Sequence, residues 1–209
     1  KIIPEENKVI GYTTRNSGGV PENFKNYFVV IFDKEFTFTD TFSDTTLTNA
    51  LESESNHTGA VIGFRTSDRE IINAKVASSF ISYEQAERNL LEIGTMDFDA
   101  LKAEGRKIWN KELGRIEIEG GTPDQFKTFY SALYRSILFP RKFYEYDENG
   151  NIVHYSPYNG KIRPGYMFTD TGFWDTFRSL FPFLNLMYPE INAHMQEGLS
   201  NAYNESGWL

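Results

Sequence analysis

The chain has 209 residues, enough for one large domain or two small ones, and a formal charge of −8 without any run of lysine or arginine. That balance excludes sequence-independent binding to nucleic acid, which needs a basic surface. Cysteine is absent, so neither a disulfide framework nor a thiolate metal site can form, and no apolar run reaches membrane-spanning length.

The first ninety or so residues read as strands. The segments 9–14 (VIGYTT), 27–33 (YFVVIFD), 35–42 (EFTFTDTF), 60–66 (AVIGFRT) and 72–82 (INAKVASSFIS) are rich in β-branched and aromatic residues. Clusters of Gly, Ser, Asn and Pro separate them, and no helical period intervenes. That pattern is the one expected of an antiparallel sandwich. The stretch 83–93 (YEQAERNLLEI) is ambiguous, either a short helix or the exit of the last strand.

From Phe98 to Leu113 the apolar positions Phe98, Leu101, Ile108 and Leu113 keep a loose helical spacing, with Gly105 as a weak point. GRIEIEGG (114–121) reads as a short extended piece closing a linker. Thr122-Pro123-Asp124-Gln125 then fits a capping box with proline at the first helical position. Phe126, Tyr130, Leu133 and Ile137 follow as one buried stripe, and Pro140 stops the helix. Asn149-Gly150 is the expected turn of a hairpin within residues 143–157.

The segment TDTGFWDTFRSLFP (169–182) predicts the next helix, capped by Asp170 or Thr171, with Phe173, Phe177, Leu180 and Leu184 buried. Pro182 is expected to bend it. A last helix is predicted from about Glu190 to Tyr203, ending near Gly207. The helices are too few to close a domain on themselves. Since the first residue is a lysine and the last helix runs almost to the end, the chain reads as an internal piece of a longer protein.

Aromatic residues make up 16 % of the chain, enough either for a large core or for surfaces that stack on sugar rings. The second possibility focuses on Trp174, which lies about 100° around the helix from Phe173. Asp175 lies further round, with Arg178 three residues on and within pairing reach. An indole offers an apolar plane to a pyranose, a carboxylate accepts from two neighbouring hydroxyls, and a guanidinium can orient that carboxylate. The competing reading is a capping carboxylate beside a core tryptophan. His57, His154 and His194 stand in unlike contexts and suit no shared metal; Asp40, Asp44, Asp97 and Asp99 read as solvated caps, and Glu205 as a structural residue near an indole. No phosphate loop, nucleophile elbow or dinucleotide fingerprint is present.

Four stretches in order, SFISYEQAERNL, WNKELGRIEIEGG, FYSALYRSILFPRKFYE and FWDTFRSLFPFLNLMYP, resemble the α-mannosidases of glycoside hydrolase family 92. The resemblance spans roughly residues 78–209; WDTFR alone is also similar to trehalases and other helical-toroid glycosidases. It implies the C-terminal part of an antiparallel β-sandwich (1–93), a helical linker (94–121) and the first helices of an incomplete (α/α)6 barrel (122–209). It further implies removal of terminal mannose from α-mannosides or N-glycans by an exo-acting, inverting, calcium-dependent enzyme, with α-1,2 linkage favoured. The metal would engage sugar hydroxyls. Trp174 and Asp175 match the family's sugar-contacting motif, with Arg178 as an orienting partner and Phe173 and Asp170 as weaker neighbours. The catalytic acid and base and the calcium ligands are expected elsewhere in the full-length protein, so none is assigned here. A periplasmic, cell-surface or secreted bacterial location is implied as well. The alternatives are a non-catalytic carbohydrate-binding sandwich module, or another glycosidase or phosphorylase on the same barrel.

Overall fold

The computed structural model describes residues 1–170 and 172–208. It divides into two compact units, Lys1–Thr95 and Met96–Leu209.

Two antiparallel sheets build the first unit. One has the order β1 (Ile2–Ile3), β2 (Lys8–Thr13), β3 (Asn26–Phe32) and β7 (Ala74–Ser79); the other sets β4 (Phe38–Ser43) between β5 (Thr46–Leu47) and β6 (Thr58–Gly63). The period-2 alternation of a strand sends neighbouring side chains to opposite faces. Tyr12 therefore stands opposite Tyr27 and Gly11 opposite Phe28. The ambiguous segment is a helix, α1 (Tyr83–Leu90), packed on β3 and β7. Ser82, placed by its sequence at the end of a strand, is instead the helix N-cap, its hydroxyl accepting from the Gln85 amide. Lys8, on the face of β2 under this helix, is buried and reaches Glu87 at 2.7 Å as well as Glu6.

Two expectations for this unit change. The strand expected over 35–42 starts only at Phe38, because Phe36 turns inward to join the rings of Phe32 and Phe64, 5.6 Å away in each case. Asp40 is not a solvated cap: it lies in mid-strand, 4 % exposed, with its carboxylate accepting from the Thr41 amide.

In the second unit α2 (Phe98–Leu113) starts at Asp97, whose carboxylate caps the Ala100 amide. The piece after it joins no ladder among the described residues. Instead Tyr130 ties its hydroxyl to the Ile116 carbonyl at 3.1 Å. The capping box forms as its sequence dictates. In α3 (Pro123–Ser136) the Thr122 hydroxyl accepts from the Gln125 amide while the Gln125 side chain accepts from the Thr122 amide. Trp109 of α2 and Tyr134 of α3 meet with ring centroids 4.6 Å apart.

Beyond α3 the chain is richer in strand than its sequence pattern indicates. β8 (Arg141–Lys142) pairs with β12 (Phe168–Thr169), and the predicted hairpin of β9 (Glu145–Tyr146) and β10 (Ile152–Tyr155) gains a third strand, β11 (Ile162–Pro164). Asp147 organises the turn, its carboxylate accepting from the amides of Asn149 and Asn151, and Gly150 supplies the positive φ.

The largest departure is in the segment around Trp174. The single helix expected there is two: α4 (Phe173–Thr176) and α5 (Leu180–Met187), separated by a turn at 177–179. Pro182 explains both the break and its position. Within one continuous helix it would lack the amide for the Arg178 carbonyl and its ring would strike that carbonyl. A helix restarted at Leu180 puts Pro182 in the first turn, where amides have no intrahelical partner anyway. The helix is thus interrupted one turn before the proline rather than bent at it. α6 (Pro189–Ser206) follows, closed by Gly207 at φ 83°. Leu184, Tyr188 and Met195 form the buried cluster of this unit, with Phe168, Leu180 and Phe183 packed around them.

Candidate functional site

The short β8–β12 ladder brings the chain to α4. Phe168 and Thr169 pair with Lys142 and Arg141, and the next residue, Asp170, takes a left-handed φ of 65° and forms an ion pair with Arg141. Asp170 therefore does not cap the helix. Gly172 occupies the N-cap position without a side-chain bond. Thr171, the other expected cap, lies outside the described residues.

With the helix interrupted, the expected buried stripe fails at its first half. Leu184 is 4 % exposed, but Phe173 and Phe177 are 47 % and 54 % exposed. Phe173 still leans on Phe181, the rings 6.3 Å apart and nearly parallel. Trp174 is 76 % exposed and so is not a core tryptophan in this chain. Asp175, in the first turn of α4, is exposed as well; a Cβ placed on Gly172 would sit 3.7 Å from its Oδ2.

Arg178 was expected to orient Asp175 from three residues on. That geometry needs an unbroken helix, and the turn at 177–179 removes it. The guanidinium instead lies over the rings of Trp174, at 5.7 Å, and Phe177, at 5.0 Å. The structure thus gathers Trp174, Asp175 and Arg178 at one exposed corner, with Phe173 beside them and Asp170 already engaged. The arginine occupies one side of the indole. The opposite face of the ring and the Asp175 carboxylate are left to solvent, an apolar plane beside a charged acceptor.

On α6 lies a polar stripe that the sequence analysis did not single out. Glu197, Asn201 and Glu205, one turn apart, face the strands before β12. A Cβ on Gly165 (φ 93°) would lie 2.8 Å from Asn201 Nδ2 and 3.1 Å from Glu197 Oε1, so only glycine allows this approach. The Asn201 amide donates to the Tyr166 carbonyl at 2.9 Å. His154, fully buried, bonds the Gly165 carbonyl at 2.8 Å and Glu205 at 2.9 Å. Tyr166 stacks on His194 with centroids 3.9 Å apart. Tyr144, which meets Tyr166 edge-on, has its phenol pushed up to about 12 by burial, with Tyr146 and Tyr166 adding to the shift. The four-residue spacing of Glu197, Asn201 and Glu205 was the available signal, since a polar stripe on a helix that also carries Met195, Gly198 and Ala202 implies a polar surface opposite.

A family GH92 inverting mannosidase from Bacteroides thetaiotaomicron superposes with a TM-score of 0.96 at 45 % identity, over 100 % of this chain and 28 % of that one. A family GH92 α-mannosidase from the same organism, solved in complex with mannoimidazole, gives 0.80 at 27 % identity, over 96 % of this chain and 27 % of that one. An uncharacterized secreted glycosidase from Arthroderma benhamiae is 34 % identical over 77 residues, which are 34 % of this chain and 10 % of that protein. The chain therefore spans little more than a quarter of its solved relatives. The glycosyl hydrolase family 92 N-terminal domain matches residues 1–79 and the family's catalytic domain matches residues 85–209, and the chain belongs to glycosyl hydrolase family 92.

Proposed function

We propose that the full-length protein is an exo-acting, inverting α-mannosidase that removes terminal mannose from α-mannosides or N-glycans, with α-1,2 linkage favoured. The observation that carries this reading is the match, over the whole chain, to a solved inverting mannosidase at a TM-score of 0.96. The exposed corner at the start of α4 supports it. The free face of Trp174 would take the C–H face of a mannose ring, and Asp175 would accept from its hydroxyls. Arg178, stacked on the indole, would hold that ring in place. In this reading residues 1–93 belong to a β-sandwich, 94–121 to a linker and 122–209 to the start of an (α/α)6 barrel.

Inversion requires a general acid and a general base about 6.5–9.5 Å apart, with room for water between them. We assign neither to this chain. The same holds for the calcium on which the activity would depend. Among the described residues no three His, Asp or Glu side chains gather as a ligand set. Its ligands would lie elsewhere in the full-length protein. No helix among the described residues is long and apolar enough to cross a membrane, and the curated relative is a secreted glycosidase; a periplasmic, cell-surface or secreted location follows as part of the proposal.

The test is mannose release from α-1,2-mannobiose by the full-length protein, with the anomer of the first product read by NMR and the assay repeated with a calcium chelator. Release of β-mannose, abolished by the chelator and restored by calcium, supports the proposal. No release from folded, calcium-loaded protein, or release of the α-anomer, overturns it.

A further inference from the structure

We propose that Arg141 is a positioning residue for the corner at α4. Through Asp170 it fixes the direction in which the chain leaves β12, and so the place of Trp174 and Asp175, without itself touching sugar. The inference rests on the sugar-binding reading of that corner.

α4 has little of its own to hold it. It is a single turn, closed by the Phe177 amide on the Phe173 carbonyl at 3.2 Å and by the Thr176 hydroxyl on the Gly172 carbonyl at 2.7 Å. One turn is the costly nucleus of a helix without the propagation that offsets it. Its N-cap, Gly172, adds no side-chain bond. On the far side the turn at 177–179 separates α4 from α5, and Phe173 reaches across to Phe181 by ring contact. Such apolar contact is non-directional.

On the near side the hold is directional. Arg141 stands opposite Thr169 in the β8–β12 ladder, and its Nε donates to the carboxylate of the following residue, Asp170. Asp170 lies at φ 65°, a left-handed conformation that few residues besides Gly, Asn and Asp adopt readily. That conformation turns the chain out of β12, and the ion pair ties the turned residue back to the neighbouring strand. The two side chains are 66 % and 33 % exposed, and an exposed ion pair contributes little to global stability. Its consequence is therefore local: it aims the short helix that carries the indole and the carboxylate.

Three readouts on the full-length protein test this. The first is independent of activity. With fluorotryptophan incorporated and the Trp174 fluorine resonance assigned by its loss in Trp174→Phe, Arg141→Met should shift or split that resonance. Arg141→Lys, which keeps the charge, should return it toward the parent position. A resonance unmoved by Arg141→Met overturns the proposal, whatever turnover does.

The second readout is turnover of α-1,2-mannobiose. A misplacement of about 1 Å can cost about 100-fold, so Arg141→Met and Asp170→Asn should each lower kcat/KM by about 10-fold with melting unchanged, and Arg141→Lys should recover most of it. The third combines the two changes. Arg141→Met with Asp170→Asn should lose no more than either alone, because both break the same contact. Losses that multiply overturn the proposal in favour of a direct contact between Arg141 and the sugar. Asp175→Asn keeps the two readings apart. A moved Trp174 resonance with Asp175→Asn at full turnover upholds the tether and overturns the sugar-binding reading of the corner. Reduced turnover in Asp175→Asn beside an unaffected Arg141→Met does the reverse.

Discussion

His154 and Glu205 lie 51 residues apart in sequence and share a 2.9 Å hydrogen bond, the histidine side chain fully buried and the glutamate side chain 9 % exposed. The other ring nitrogen of His154 faces the Gly165 carbonyl at 2.8 Å. A carbonyl only accepts, so Nδ1 carries a proton and the orientation of the ring is fixed. The second carboxylate oxygen of Glu205 is buried and has no partner among the described residues. The pair fastens the C-terminal turn of α6 to β10, but it leaves Glu205 wholly dependent on the histidine. Removing one member of a buried pair leaves an uncompensated charge and costs about 3–5 kcal/mol. His154→Leu in the full-length protein should lose about that much in urea denaturation, and His154→Leu with Glu205→Leu should lose less than the single variant. A double variant whose loss equals the sum of the two singles would show that the two side chains are not coupled.

Trp174 and Asp175 present the opposite case: exposed, with little to hold in place. Their removal should leave melting of the full-length protein within about 1 °C, since surface changes away from packing features stay within about 0.5 kcal/mol. Activity should respond. A hydrogen bond from a sugar hydroxyl to a carboxylate contributes about 1.5–3 kcal/mol, so Asp175→Asn should lower kcat/KM on α-1,2-mannobiose by about 10- to 100-fold. Trp174→Ala should lower it as well, through lost stacking. Unchanged turnover in Asp175→Asn would remove this corner from the sugar pocket and leave the family assignment untouched.

What the sequence made legible follows from how local the signal was. Thr122 and Gln125 are three residues apart and form their capping box as read. The strands around Val9, Val29, Val61 and Val76 appear where β-branched runs put them. Asp40 was misread as a solvated cap although it falls within the predicted strand 35–42; an aspartate there suggests solvent, and only the pairing of β4 between β5 and β6 shows that its position is buried. The His154–Glu205 bond was invisible for the same reason: it needs α6 folded back on β10, a long-range event that no window of residues encodes. At the candidate site the residue types were readable, but the geometry was not. The spacing of Asp175 and Arg178 promised an ion pair, and Pro182 cancelled it from seven residues away.

Pro182 itself gives a sharper prediction. If it alone keeps α4 and α5 apart, Pro182→Ala should let a single helix run from Phe173 to Met187, because alanine restores the amide for Arg178 and removes a residue about 3 kcal/mol worse than alanine inside a helix. Far-ultraviolet circular dichroism should show added helix with stability unchanged or higher. The same change would swing Arg178 off the indole, so kcat/KM of the full-length protein should fall although no residue of the corner has been altered. Full activity with a healed helix would show that the stacked arginine is not needed.

The acid limb of stability should carry a signature from Glu70. The Lys34 side chain bonds its carboxylate, the Ser67 amide and hydroxyl add two more donors, and together they pull its pKa from 4.5 down to about 2. A carboxyl depressed in the folded state adds stability in full above its unfolded value and loses it as pH falls through the folded one. For Glu70 the contribution is complete above about pH 4.5 and fades as pH drops toward about 2. Glu70→Gln should therefore melt below the parent at pH 7, and the gap should narrow steadily through that window. A gap that stays constant across it would mean the Lys34–Glu70 contact contributes through packing rather than charge.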